Sequence, residues 1–89
     1  MFSFLESEED VVGYLKLKIS DIDRFCRDTN TFKADINIGE GHRIMDAKSL
    51  LSLVALDFTK ESKVEIITDD IKEIEAFTDL LRRYGGENR

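Results

Sequence analysis

Few residues in this chain could do chemistry. Among 89 residues there is one histidine, His42, one cysteine, Cys26, and no proline or tryptophan. A Cys/His metal cluster or a Cys–His nucleophile pair would need both residues at once. Cys26 falls on the inward side of a predicted helix, where a thiol behaves as a small hydrophobe. His42 stands beside a predicted hairpin turn. The plentiful carboxylates fall in an acidic N-terminal stretch, on outer helix faces or at helix caps, where charge is ordinarily solvated. Gly39 and Gly41 are a lone glycine pair within the hairpin, not a phosphate-binding loop ahead of a helix. The strands lack the paired aromatics of an RNA-stacking sheet. These residues argue against catalysis.

The arrangement with a chemical use lies around Ser49. It falls in the first turn of a predicted helix capped by Asp46, beside Lys48. A phosphate there would meet free backbone N–H groups and the positive end of the helix dipole, so it could be held without refolding the domain. Leu50, Leu51 and Val54 follow directly and give more apolar surface than one helix face can bury. A charge switch beside an apolar patch suits docking controlled by phosphorylation.

The elements that must position these residues belong to a small chain. At 10.3 kDa, 42% hydrophobic and 36% charged, it suits one domain with a modest core. A net charge of −6 and a pI near 4.7 argue against nucleic acid or an anionic membrane as main partner. No apolar run approaches the roughly 20 residues of a membrane span. A lone cysteine suits a reducing cytosol.

Residues 1–13, with Glu6, Glu8, Glu9 and Asp10, read as an acidic N-terminal extension. From Tyr14, the alternation of Leu15, Leu17 and Ile19 with Lys16 and Lys18 predicts a strand. Ser20 is the expected cap of a helix over 21–31. Phe32, Ala34, Ile36 and Ile38 alternate in a second strand, Gly39-Glu40-Gly41 turns a hairpin, and residues 42–45 return. After the Ser49 helix, residues 63–68 form a fourth strand with Val64 and Ile66 inward. Asp70 and Glu73 predict a capping box for the last helix. Its apolar stripe is Ile71, Ile74, Phe77, Leu80, Leu81 and Tyr84, and Gly85-Gly86 stops it. The order is βαββαβα, with helices covering one sheet face. A ferredoxin-like domain has the same run through its sixth element.

The segment Ala34-Asp35-Ile36-Asn37-Ile38, the glycine turn, and Asp46-Ala47-Lys48-Ser49-Leu50-Leu51-Ser52-Leu53 resemble HPr, the histidine-containing phosphocarrier family of the bacterial sugar phosphotransferase system. The likeness runs without gaps from about Phe32 to Tyr84. It implies an HPr-like open-faced β-sandwich of the α/β (α+β) class: a four-stranded antiparallel sheet with helices on one face, over residues 14–86, leaving 87–89 as a tail. The family carries its phospho-accepting histidine in a Gly-x-His-Ala-Arg-Pro segment between the first strand and first helix. Here the strand passes almost directly to the helix through Ser20-Asp21, so that loop reads as deleted.

Ser49 matches the family's regulatory serine, which a dedicated kinase phosphorylates in many low-GC Gram-positive bacteria. Leu50, Leu51 and Val54, with Lys48 beside them, match the family's docking patch for that kinase and for a catabolite repressor. The expected function is a non-catalytic, HPr-like regulatory and protein-binding module in a bacterial cytoplasm, controlled through Ser49. Its expected partners are proteins such as HPr kinase or a transcriptional regulator, with no cofactor, metal, nucleic acid or membrane. The alternatives are a divergent phosphocarrier using a residue other than histidine, and a ferredoxin-like ligand-sensing module with Gly39-Glu40-Gly41 near its binding edge.

Overall fold

In the computed structural model, which describes residues 9–88, the sequence periodicities become five strands and three α-helices. The order is β1 (Glu9–Leu15), α1 (Ile22–Thr29), β2 (Asp35–Gly39), β3 (Met45–Asp46), α2 (Leu50–Val54), β4 (Ser62–Thr68), α3 (Ile71–Arg83) and β5 (Glu87–Asn88). A 3₁₀ turn at Ile19–Asp21 leads into α1. Residues 1–8 of the expected extension and residue 89 of the expected tail lie outside the described residues.

The strands form one antiparallel sheet in the order β3-β2-β4-β1-β5. Its centre is β4, where Ser62, Val64, Ile66 and Thr68 are buried. The register sets Val11 and Ile36 opposite Ile66, and Gly13 and Ile38 opposite Val64. Onto this dry face the helices bring Phe25, Leu53, Phe77, Leu80 and Leu81, all in one buried cluster. On the other face Val12, Tyr14, Asn37, Glu65 and Ile67 stay partly exposed, as an antiparallel sheet with one wet side requires. The architecture is the expected α+β open-faced sandwich. A ferredoxin-like domain would set its third strand between the first two; here β4 takes that place and β3 lies at the edge, so that alternative falls.

Several boundaries differ from the sequence expectation. β1 begins at Glu9 rather than Tyr14, because β4 offers backbone partners as far as Thr68, which pairs with Glu9. Pairing then stops at Leu15 opposite Ser62, where β4 starts. The alternation continues one step further, with Leu17 buried, but Ile19 turns out to solvent. Residues 9–13 therefore belong to the sheet and not to a separate extension. At the other end Glu87 and Asn88 pair with Tyr14 and Gly13, adding a fifth strand where a tail was expected.

The helix ends also differ. Ser20 does not cap α1; the N-cap is Asp21, which makes no side-chain capping bond and instead pairs with Arg24 at 2.9 Å. Asp70 caps α3 by accepting the Lys72 N–H at 2.9 Å. Glu73 does not complete a box. Its carboxylate accepts the N–H groups of Lys33 at 3.1 Å and Ala34 at 2.8 Å, fastening the approach to β2. Ile71 is exposed rather than on the buried stripe. The α3 C-terminus closes as a Schellman turn: Gly86 N–H donates to the Leu81 carbonyl at 2.7 Å and Gly85 N–H to that of Arg82 at 3.1 Å. Gly85 takes the φ of +80° this turn needs.

At Gly13 the Leu81 side chain of α3 packs onto β1, and a Cβ there would run into it. Gly13→Ala is expected to destabilise the fold by about 1–3 kcal/mol, the usual range for overpacking. Urea denaturation measures this.

Candidate functional site

Asp46 cannot start α2, because it is still in β3, paired with Asn37. The chain must first turn through Ala47 and Lys48. Asp46 supports that turn by accepting the Lys48 N–H at 2.8 Å. Ser49 is then the N-cap of α2, with φ −101° and ψ 119°, and its Oγ accepts the Ser52 N–H at 3.3 Å. The expected cap was therefore three positions too early, and Ser49 precedes the first turn instead of lying within it.

The Ala47–Lys48 turn is fastened to the C-terminal end of α1. Thr29 Oγ1 donates to the Ala47 carbonyl at 2.8 Å, while Asn30 Nδ2 at 3.0 Å and Cys26 Sγ at 3.4 Å reach the Lys48 carbonyl. The Lys48 ammonium donates to the Phe32 carbonyl at 2.7 Å. Lys48, expected to face a partner, is half-buried in this seam. Beyond it, α2 is too short to bury much of itself: only Leu53 is buried, while Leu50, Leu51 and Val54 are 46%, 82% and 54% exposed. These three adjoin Ser49 in an apolar patch.

A second surface forms where β1 meets α1. Lys16, Lys18 and Ser20 are exposed, Leu17 is buried and Ile19 is 70% exposed. With Phe58 they line a shallow groove. Gly39 pairs with Lys63 beside the Leu15–Ser62 pair, so the β2–β3 turn leaves from this same end of the sheet. His42 is exposed in that turn, and Arg43 Nη2 donates to the Ala55 carbonyl at 3.3 Å just past α2. Cys26, held at the Lys48 carbonyl, and His42, in the turn, form no joint site. Among the described residues no cluster could hold a metal ion, and no helix is long and apolar enough to cross a membrane.

One network left no sequence signal, because it joins residues far apart in the chain. Tyr84 Oη donates to Asp28 Oδ2 at 2.6 Å and Arg83 Nη1 donates to the same oxygen at 3.0 Å. The Phe25 ring meets the Tyr84 ring edge-on at 5.1 Å, and Arg24 lies 5.4 Å from the Tyr84 ring centre. The network locks α1 to the end of α3. Burial first, then the hydrogen bond and charge of Asp28, push the Tyr84 hydroxyl above its ordinary pKa of 10.0.

Comparison with known proteins gives a consistent picture. Residues 15–83 match a family model described as "PTS HPr component phosphorylation site". The chain is 27% identical over 86 residues to a phosphocarrier protein HPr of Neisseria meningitidis serogroup A, covering 93% of this chain and 97% of that protein. The same figures hold for phosphocarrier protein HPr of a serogroup B strain. No solved structure matches. The loop between β1 and α1, read from the sequence as deleted, is present: Lys16-Leu17-Lys18-Ile19-Ser20-Asp21 has the length of the family's Gly-x-His-Ala-Arg-Pro segment. Set end to end, Lys18 falls at the place of the histidine. The error arose because the strand pattern ran on through Leu17 and Ile19 and hid the connection.

Truncation separates the patch from the core. Leu51→Ala is expected to change stability by about 0.5 kcal/mol or less, as for a surface site, whereas Leu53→Ala is expected to lose about 2–5 kcal/mol. Chemical denaturation of both variants checks this. A raised Tyr84 pKa means the protonated hydroxyl stabilises the fold fully below its unfolded pKa and less as pH climbs past it. The stability advantage of the native chain over Tyr84→Phe, about 1.5 kcal/mol at neutral pH, is expected to shrink above pH 10.0, as read by urea titrations.

Proposed function

The chain belongs to the HPr family, and on that footing we propose that it is a regulatory, protein-binding member that does not itself carry phosphoryl groups. The supporting observation is the pairing of two local facts. The segment between β1 and α1 holds no imidazole, while the Ser49 hydroxyl adjoins three exposed apolar side chains, Leu50, Leu51 and Val54. A phosphohistidine carrier needs the imidazole that this segment lacks. A docking module under covalent control needs the second.

Phosphorylation of Ser49 would place about −1.5 to −2 charges at the head of the patch. It would replace the weak cap to Ser52 by an anion, and would favour a partner that matches apolar contact with positive charge. Protein partners of this kind include a bifunctional HPr kinase, which would modify the serine, and a transcriptional regulator, which would read it. Lys48 supports the surface from within, through Phe32. The net charge of −6 and the lone cysteine fit a bacterial cytoplasm.

The test is intact-mass analysis after incubation with ATP and bifunctional HPr kinase, with Ser49→Ala as control, beside a second sample given phosphoenolpyruvate and the general phosphotransferase enzyme. One phosphate from the kinase, absent in Ser49→Ala, is expected. Phosphate taken from phosphoenolpyruvate would instead establish a divergent carrier, a reading that the intact β1–α1 connection keeps open. Asp caps a helix about as well as Ser. Ser49→Asp is therefore expected to leave the melting temperature nearly unchanged and to alter partner binding, while Ser49→Ala loses about 1 kcal/mol.

A further inference from the structure

We propose that the cup beneath the β2–β3 turn, on the outer face of the sheet, is a binding site for a small zwitterion: an α-amino acid with a short apolar side chain. Lys63 takes its carboxylate and Glu65 its ammonium group. The site lies on the face that no helix covers and uses no residue of the Ser49 patch or of the β1–α1 connection. It stands independently of the regulatory reading.

The hairpin builds the cup. Asn37 and Gly39 alternate with the buried Ile36 and Ile38, so both belong to the outer face. Gly39 is nevertheless buried, because the returning chain folds back over it: a Cβ there would run into the Arg43 carbonyl oxygen. The Arg43 N–H closes the turn on the Glu40 carbonyl at 3.0 Å. The register sets Asn37 opposite Glu65 and Gly39 opposite Lys63. A space of about 80 Å³ results, lined by Asn37, Lys63 and Glu65 from the sheet and by Arg43 and Ile44 from the turn.

The charges of the cup select the ligand. Lys63 and Glu65 are two apart on β4, so they leave the outer face about 7 Å from each other. Neither is in an ion pair among the described residues, and the Asn37 amide has no hydrogen-bond partner among them. The other charges at this turn are already engaged. Arg43 reaches Glu40 at 3.7 Å and the Ala55 carbonyl at 3.3 Å, and Asp46 accepts the Lys48 N–H at 2.8 Å. A simple anion would be drawn by Lys63 and repelled by Glu65, and a simple cation the reverse. A molecule carrying both charges is attracted by both residues, and it can bridge them. The Asn37 amide adds one acceptor and two donors. Ile44, 70% exposed, offers apolar surface to the ligand's side chain, and the small volume keeps that side chain short.

The test is an amide NMR titration of the full chain with L-alanine and L-valine at fixed pH and ionic strength. Propionate, propylamine, inorganic phosphate and glucose are the control probes. Alanine is expected to give saturable shifts at Asn37, Gly39, Gly41, Ile44, Lys63 and Glu65. Half-saturation near roughly 1 mM is expected, the weak binding that about six heavy atoms reach in an open site. Propionate and propylamine, each lacking one of the two charges, are expected to bind at least about fivefold more weakly. Lys63→Gln and Glu65→Gln are each expected to lose about fivefold in alanine affinity. The exchange Lys63→Glu/Glu65→Lys is expected to recover part of that loss, because the zwitterion can turn round. Both positions lie on the solvent side of β4, thermal melts check that the variants remain folded, and the comparison of probes on the native chain needs no variant. Shifts that rise without saturating, equal affinity for propionate or phosphate, binding of glucose in place of alanine, or alanine affinity unchanged in both glutamine variants would each overturn the proposal.

Discussion

Pairing on both sides of β4 determines where every connection begins. Its four buried positions alternate with outward ones, and a slip of one residue in either neighbour would turn Val11 and Leu15, or Ile36 and Ile38, out of the core. With that register in place, β1 must end at Leu15 and β2 at Gly39. The lysine-bearing connection and the glycine turn then share one end of the sheet, while α1 and the turn before α2 meet toward the other. The surfaces considered for function are thus consequences of one strand's alternation. Among the described non-glycine residues none has a positive φ, so these surfaces are built on ordinary backbone.

A domain of this size can keep a reactive surface only by leaving part of an element unburied. That element is α2. Its five residues give one side chain, Leu53, to the core and leave three in water. A longer helix would turn more of its apolar residues inward. The brevity of α2 therefore exposes its leucines and, by bringing the helix start forward to Leu50, makes Ser49 a cap.

Much of this was legible in the sequence where a single element carried its own signal. The alternation of Val64 and Ile66, the Phe77–Leu80–Leu81–Tyr84 stripe, the hairpin glycines and the order of elements needed no knowledge of neighbours. What failed depended on partners distant in the chain. Glu9–Val12 carry no strong strand pattern and are ordered by β4. Glu73 looked like half of a capping box but reaches Lys33 and Ala34 instead. Lys48 looked like a surface cation, yet its nearest acceptor is the Phe32 carbonyl. At the candidate site, the apolar run after Ser49 was readable, because it exceeded what one helix face can cover. The retention of the β1–α1 connection was not, because its apolar residues keep a strand's rhythm after the ladder has ended.

The seam between α1 and the Ala47–Lys48 turn has a consequence for how the patch behaves in time. An isolated helix of five residues does not persist in water, so α2 has little stability of its own. It borrows order from Leu53 and from the bonds of Thr29, Asn30, Cys26 and Lys48. Opening that seam would be a local unfolding event that leaves the sheet intact. The apolar patch therefore sits on a part of the fold that can open without the sheet, and a partner that binds it folded would slow amide exchange both in α2 and at the far end of α1.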